Sequence, residues 1–408
     1  MAAGTITEYF TDKLANVMKL IIGLMIIIFA PALLAIPFIP DNDEQVLERL
    51  PLATNLVNRD TRALRNTLSA NPRQLELAVT LSKRYIALGK AEADPRYYGY
   101  AQGVLSPWWD SLEPPSEVLL LRALILQNRH EFDSALHDLQ ALLKREPTNV
   151  QAWLTQAVIL QVRARYDEAQ RSCLPLMEFD TPLAASTCLA SIGGLTGHAT
   201  KSYDFLHDAL KEAQDISPDQ RLWSLTVLAE MAVRMGKAKD AEQLFTEALK
   251  VHEQDVYLLS AYADFLLDQK RPAEVVALLA DKTRIDGLLL RVALAKQQLG
   301  SNDLPQIIIQ LKARFTASRL RGENLHQGDE ARFELYLLKQ PQQALRLAQA
   351  NWAWQREPKD ARIVLEAAID MDNPAAAQPV IELLKTTGME SMQLQQVLLG
   401  LRKTGTPD

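Results

Sequence analysis

A small residue recurs at steps near 34 residues through the middle of the chain, and this spacing limits the possible folds more than any other feature. A recurrence of this length is typical of a helical hairpin that repeats along a chain. Because one hairpin cannot cover its own apolar face, such units stack on their neighbours, and the pattern predicts a solenoid. The recurring positions are Ala123, Ala157, Ala190, Ala229, Ala263 and Ala293, at steps of 34, 33, 39, 34 and 30 residues.

The clearest unit is Val150–Met177, which has the pattern of two amphipathic helices joined by a short turn. Trp153 and Ala157 lie four residues apart in the first predicted helix, Ala152–Val162, and therefore share one face of it. The second predicted helix begins at Tyr166 and repeats the spacing. With 16 Gly and 20 Pro among 408 residues, the composition also favours a mostly helical protein over a sandwich or barrel.

This unit resembles the tetratricopeptide repeat, or TPR, in which Trp, small, large and Pro residues recur every 34 positions or so. Pro147 precedes the unit, and Pro182 follows at close to the spacing of that repeat. The resemblance implies an all-α fold: an α-solenoid of TPR-like helical hairpins, after an N-terminal transmembrane helix or signal segment. It also implies a non-catalytic protein that binds a protein or peptide partner on a concave surface.

The same pattern divides the chain into four predicted parts. In the last of them, Arg321–Asp329 has the composition of a polar loop, and the next helix is expected over Arg332–Leu338. The parts are residues 1–40, an N-terminal arm and transmembrane anchor (or uncleaved signal peptide); 41–114, spacer helices and an atypical first hairpin; 115–300, the regular array; and 301–408, degenerate hairpins with a C-terminal capping helix.

The segment Leu20–Ile39 carries no charged residue, and its length is enough to cross the hydrocarbon layer as one helix. One interpretation is a retained single-pass membrane anchor. The other is a cleaved signal peptide, with Lys13 and Lys19 in a basic n-region and Ala30–Ala32 as the small-residue site. The apolar run continues past that site, which favours the anchor, and both interpretations carry the rest of the chain across a membrane.

The orientation follows from the basic residues that flank this segment. Lys13, Lys19 and the terminal amine lie on one side, whereas Arg49 and Arg59 lie further from the segment on the other. The positive-inside rule therefore predicts a short internal N-terminal arm. The large C-terminal part is expected on the periplasmic or extracytoplasmic side, or to be exported if the N-terminus is cleaved.

Charge and motif content argue against several function classes. The chain has 44 basic and 50 acidic residues, so no basic footprint predicts binding to nucleic acid. Its six histidines form no HExxH motif, and no nucleophile-elbow or phosphate-loop motif occurs. We therefore predict no catalytic residue, no metal site and no cofactor, with an unrecognised enzyme as a remote alternative.

The chain has two cysteines, Cys173 and Cys188, on predicted neighbouring helices and nearly equidistant from the turn between them. An antiparallel helix pair would bring them side by side, within the Cα separation that a disulfide requires. We favour a disulfide, because the predicted export places the pair in an oxidising compartment. Two buried free thiols are the alternative.

The TPR resemblance also implies which side chains line a concave groove. The basic and amide residues with which some members grip a C-terminal carboxylate are missing at the matching positions. The groove therefore changes from apolar to aromatic and acidic, which favours a peptide or helix with hydrophobic and basic residues; the alternative is that several of these side chains only pack the superhelix. The predicted lining residues are Leu154, Val158, Trp223, Glu230, Arg234, Tyr257, Asp264 and Asp268.

Together these features predict an interaction scaffold at a membrane, with a membrane-associated protein partner. The resemblance to TPR proteins with one N-terminal anchor implies a setting in cell-envelope assembly, secretion or maturation of a membrane complex. A second hypothesis is a glycan- or exopolysaccharide-binding component of an export system. It would use the aromatic stretch Tyr97–Trp109 together with Trp223 and Tyr257.

Overall fold

The computed structural model describes residues 56–179, 182–320 and 327–404, and every secondary-structure element in these ranges is a helix. From Arg59 onward the described residues belong to one compact unit. Among the described helices, none has the length and apolar character needed to span a bilayer. The predicted membrane segment Leu20–Ile39 lies outside the described residues.

The helices form consecutive hairpins, each with a first and a second helix. Four helices precede the regular hairpins: α1 (Leu56–Ala70), α2 (Leu75–Glu92), α3 (Arg96–Val104) and α4 (Ser106–Trp109). The hairpins of the middle are α5 (Ser116–Asn128) with α6 (Phe132–Arg145), α7 (Val150–Val162) with α8 (Tyr166–Cys173, extended by a 3-10 turn at Leu174–Glu178), α9 (Pro182–Gly193) with α10 (Ala199–Glu212), and α11 (Pro218–Arg234) with α12 (Ala238–Val251).

The C-terminal half continues this arrangement with less regular lengths. Its elements are α13 (Val256–Asp268) with α14 (Pro272–Leu278), α15 (Asp286–Leu299) with α16 (Leu304–Leu320), α17 (Gln327–Arg332, followed by a π turn at Phe333–Leu337) with α18 (Pro341–Trp352), α19 (Pro358–Asp370) with α20 (Pro374–Thr387), and the final helix α21 (Met392–Thr404).

Local sequence explains where many of these helices begin. Proline suits the first helical position, because its fixed φ matches the helix and the amide proton it lacks would have no partner there. Side-chain caps add to this at α7, where Asn149 Oδ1 accepts a hydrogen bond from the Ala152 amide at 3.0 Å. Proline is the first residue of α9, α11, α14, α18, α19 and α20.

The hairpin turns share one backbone conformation, a residue with positive φ just after the first helix. After α7, for example, Ala164 adopts a φ of 56°, and the Arg165 amide donates to the Leu160 carbonyl at 2.8 Å. This is the bond that closes a helix before a reversal, and it uses a left-handed residue at the reversal point. Left-handed residues occupy the equivalent position of the other regular hairpins: His130, Gly197, Gly236, Lys270, Gly300, Lys339 and Asp372.

The recurring small residues lie where the predicted hairpin packing requires them. Ala123, Ala229, Ala263 and Ala293 have no exposed surface, and Ala157 is 2% exposed. The small residues of the second helices, Ala135, Ala169 and Ala241, are equally inaccessible. The array of closely packed hairpins predicted from the spacing is thus present in the described part of the chain.

The last helices pack back onto the middle of the array. One continuous apolar core joins residues of α5–α9 to residues of α17–α21. The Arg356 amide, between α18 and α19, donates to the Val162 carbonyl at the end of α7 at 2.8 Å. Gln393 of α21 donates through Nε2 to the Val233 carbonyl at 3.2 Å. The C-terminal hairpins therefore share a core with the regular repeats and are hydrogen-bonded to them.

The predicted loop Arg321–Asp329 is wrong over its last residues, because α17 begins at Gln327 rather than at Arg332. Asp329 and Glu330 lie in the first turn of α17, where acidic side chains are stabilised by the helix dipole. The polarity of Asp329 and the residues before it had indicated a loop; Glu330, just after the predicted loop, is buried.

Candidate functional site

The predicted groove residues lie on three first helices: Leu154 and Val158 on α7, Trp223, Glu230 and Arg234 on α11, and Tyr257, Asp264 and Asp268 on α13. We call the surface formed by these helices and by the facing helices α17 and α19 the inner face. Val158 is 38% exposed and Tyr257 50% exposed. Leu154 and Trp223 are partly buried against the apolar cores.

Asp264 is held between two arginines of other hairpins. Arg291 of α15 approaches Asp264 Oδ2 through Nη2 at 2.7 Å, and Arg332 of α17 approaches Oδ1 at 2.8 Å. Burial disfavours the charged carboxylate, but the two guanidinium groups outweigh it and hold the pKa of Asp264 well below its ordinary value. Asp264 is therefore a structural anion that joins α13 to α15 and α17.

Asp268, one turn further along α13, is paired with an arginine of α19. Arg362 of α19 reaches its two carboxylate oxygens at 2.8 and 2.9 Å. The same guanidinium donates from Nε to Glu366 at 2.8 Å, and Glu366 accepts a hydrogen bond from Tyr336. Both aspartates expected to select a basic partner are thus already neutralised within the chain.

Glu230 and Tyr257 form the next contact along the inner face. The Tyr257 hydroxyl donates to Glu230 Oε1 at 2.8 Å, and the Lys359 ammonium lies 5.9 Å from the centroid of the Tyr257 ring. Half of the Tyr257 side chain is accessible to solvent, whereas burial of its hydroxyl, together with Glu230, raises its pKa well above the ordinary value. The Tyr257 ring is thus accessible to solvent, while its hydroxyl is shielded by the contact with Glu230.

Arg234 differs from the other charged residues of the inner face. Within the described chain it has no ion pair closer than 4 Å, and its Nε is buried without a hydrogen-bond partner. Burial lowers its pKa, and nearby Glu230 opposes this effect. The Tyr166 hydroxyl, within electrostatic range of Arg234, is likewise buried and unpartnered. Burial raises the pKa of Tyr166 to about 12, so the hydroxyl keeps its proton at neutral pH.

The two cysteines form a disulfide between α8 and α9. Cys173 and Cys188 have Cα atoms 5.7 Å apart, and both are buried in the core that joins the N-terminal and C-terminal hairpins. The bond ties two consecutive hairpins together.

The aromatic stretch of the second hypothesis is used mostly in packing. The rings of Tyr97 and Tyr100 meet edge to face at 5.9 Å, and Tyr85 of α2 packs against both. Tyr98 is buried, with its ring against Gly89. Tyr100 remains 53% exposed. Of the rings in this stretch, Tyr100 is thus the exposed one, Tyr98 is buried, and Tyr97, Trp108 and Trp109 are partly buried.

Two further depressions lie on the surface of the described residues. A depression of about 490 Å³ lies beside the buried Arg122–Asp138 ion pair, and one of about 750 Å³ is lined largely by residues of α18. In the ranges that the structure describes, no three His, Cys, Asp or Glu side chains are grouped in a way that suits a metal ion.

The sequence pattern did not indicate the basic side chains that face the predicted groove from the C-terminal hairpins. Arg332 and Arg362 lie on first helices, as Asp264 and Asp268 do. A charge signal was present, because the acidic residues of α13 are matched by basic residues of α17 and α19. It was missed because the pairing requires knowing that hairpins 68 and 94 residues apart meet.

No family model and no curated protein matches the chain. Among solved structures, a thermophilic TPR protein of Thermus thermophilus matches with a TM-score of 0.38 at 18% identity, covering 47% of this chain and 98% of that one. Yeast Tom70 gives 0.41 at 10% identity (85% and 84% covered), and a human IFIT1 dimer with PPP-AAAA gives 0.46 at 12% (86% and 87% covered). Since these TM-scores lie below 0.5, the description as TPR-like hairpins depends on the chain's own helices, turns and spacing.

Proposed function

We propose that the chain is a non-catalytic scaffold that binds a protein or peptide partner along its inner face. The observation that carries this proposal is the exposure of Val158 and Tyr257 on first helices that are otherwise packed. The ion pairs of Asp264 and Asp268 fix the helices around them. A partner would therefore meet a preformed surface, and little conformational entropy would be lost on binding.

We also propose that this scaffold acts at a membrane, in cell-envelope assembly, secretion or maturation of a membrane complex. The uncharged segment Leu20–Ile39 supports a single-pass anchor. The Cys173–Cys188 disulfide supports an extracytoplasmic position for the helical array, because such bonds persist in oxidising compartments.

Site-specific photocrosslinking tests the partner surface. A photoreactive amino acid at Val158 or at Tyr257 should yield the same protein adduct, since both positions face the inner face. The matched control is Gln243, which is exposed on the second helix α12 and should give no such adduct. Different proteins at the two positions, or none, would contradict the proposal.

The membrane assignment has its own test. The full chain should stay in the membrane fraction after alkaline carbonate extraction, and a chain lacking residues 1–40 should not. Protease added outside intact cytoplasmic membranes should cleave the helical array. Protection of the array in that experiment would reverse the proposed orientation.

Glycan binding is the second candidate, and the exposed ring of Tyr100 is the observation that favours it. Retention of the full chain on envelope polysaccharide, lost in Tyr100→Ala and unaffected by changes at Val158, would support glycan binding over the protein scaffold.

A further inference from the structure

Arg234 of the inner face and Arg356 of the turn before α19 have no anionic partner within 4 Å in the described chain. Arg234, in the last turn of α11, forms no ion pair. The guanidinium of Arg356 makes only a long contact, from Nε to the Trp352 carbonyl at 3.4 Å. By contrast, Arg332 and Arg362 of the inner face, and Arg291 of the neighbouring α15, each bind at least one carboxylate.

Tyr166 lies within electrostatic range of both arginines through its hydroxyl. It is the first residue of α8 and is 6% exposed, and its hydroxyl is buried with no hydrogen-bond partner. The bond from the Arg356 amide to the Val162 carbonyl fixes the α18–α19 turn beside the start of α8.

The nearby carboxylates are already engaged elsewhere. Glu230 accepts from the Tyr257 hydroxyl at 2.8 Å. Glu357 binds Lys359 at 3.0 Å and caps the first turn of α19. Both carboxylates are within range of Arg234, but neither comes within 4 Å of it. Space for the guanidinium is provided by Gly194, where a Cβ atom would lie 3.2 Å from Arg234 Nη2.

We propose that Arg234, Arg356 and Tyr166 form a subsite that binds an oxyanion, either a carboxylate or a phosphate group. Two guanidinium groups supply charge and paired donors, and the tyrosine hydroxyl supplies a third donor. The subsite goes beyond the proposed scaffold function, because a small anion would occupy it whether or not a protein partner exists.

Isothermal titration of the full chain with inorganic phosphate, and separately with acetate, tests the subsite at constant ionic strength in chloride buffer. Arg234→Gln should weaken binding about tenfold or more, since it removes charged hydrogen bonds. Tyr166→Phe, which removes only an unpartnered hydroxyl, should weaken it about fivefold. Arg271→Gln is the matched control, because Arg271 is ion-paired with Glu242 and Glu274, and it should bind as the wild type does.

Phosphate binding without acetate binding would identify a phosphate group as the ligand, and binding of both would extend the assignment to carboxylates. The subsite proposal would be overturned if neither phosphate nor acetate bound to the wild type. It would also be overturned if Arg234→Gln and Tyr166→Phe left binding unchanged. Tyr166→Phe decides the question if Arg234→Gln fails to fold. Arg234→Gln should also leave the midpoint of unfolding unchanged or raised; a lowered midpoint together with unchanged anion binding would make Arg234 a purely structural residue.

Discussion

Arg362 binds both carboxylate oxygens of Asp268 at 2.8 and 2.9 Å, although 94 residues separate them in the chain. This contact ties α19 to α13 across the inner face. Asp264 and Arg332 do the same for α17, at 2.8 Å. Ion pairs between first helices of distant hairpins therefore close the array, in addition to the apolar core that joins its two halves.

Reversing the charge of Arg362 should loosen this closure. In Arg362→Glu the new carboxylate would face those of Asp268 and Glu366. We expect the free energy of unfolding to fall by about 1–2 kcal/mol, a modest value because the pair with Asp268 is partly exposed. Hydrogen exchange of the α19 and α20 amides should accelerate more than that of α11 and α12. Urea unfolding and exchange mass spectrometry measure the two effects.

The control is Arg84→Glu, since Arg84 lies 3.4 Å from an Asp60 side chain that is 65% exposed, and such pairs contribute little. The swap Asp268→Arg with Arg362→Glu should recover part of the loss. An Arg362→Glu variant as stable as Arg84→Glu would show that the apolar core alone closes the array.

Asp264 should make the stability of the array depend on acid pH. Its pKa is lower in the folded chain than the ordinary value near 4 of an unfolded aspartate. A group with a lowered folded pKa stabilises fully above its unfolded pKa and loses this contribution as the pH falls toward the folded pKa. Stability should therefore fall below about pH 4, and Asp264→Asn should reduce this dependence.

At neutral pH, Asp264→Asn should lower the free energy of unfolding by about 3 kcal/mol, because it leaves the buried Arg291 without its closest anion. Asp329, 3.6 Å from Arg291, limits the loss. Urea unfolding at pH 7 and pH 3 measures both effects. Equal loss of stability on acidification in the variant and the wild type would assign the acid sensitivity to other carboxylates.

The hairpins could be predicted because they depend on local chemistry. The repeated alanines mark where two helices approach, and the prolines at helix starts such as Pro218 and Pro358 mark where helices begin. Both signals lie within one repeat. The repeated spacing of the small residues from Ala123 to Ala293 was therefore enough to predict the helical array that the structure shows.

The pairing across the inner face could not be predicted in the same way. Whether Asp268 meets solvent, a partner or Arg362 depends on how small rotations between successive hairpins add up over 94 residues. No local pattern encodes that sum. The lining positions such as Val158 and Tyr257 were placed on first helices correctly, but their role as partner contacts stays a prediction.

Removing the Cys173–Cys188 bond should destabilise the chain without changing its fold. The two residues are 15 apart, and the loop-entropy estimate for such a cross-link is about 3 kcal/mol. Unfolding by urea with and without reductant measures this difference. The double variant Cys173→Ser with Cys188→Ser should match the reduced wild type. Two free thiols detected in protein isolated from its native compartment would contradict the disulfide and weaken the proposed location.

Close approach within a hairpin is tested at Gly193, the last residue of α9. A Cβ atom there would lie 2.2 Å from Ser202 Oγ of α10, so Gly193→Ala must push the helices apart or rotate the serine. We expect a loss of about 1–3 kcal/mol in the free energy of unfolding, and Ser202→Gly should restore part of it. Gly103→Ala is the control, because nothing lies within 4 Å of its Cβ position, and it should be neutral or stabilising by up to about 1 kcal/mol. If Gly193→Ala proves as stable as Gly103→Ala, the small residues at this interface are not required by helix contact.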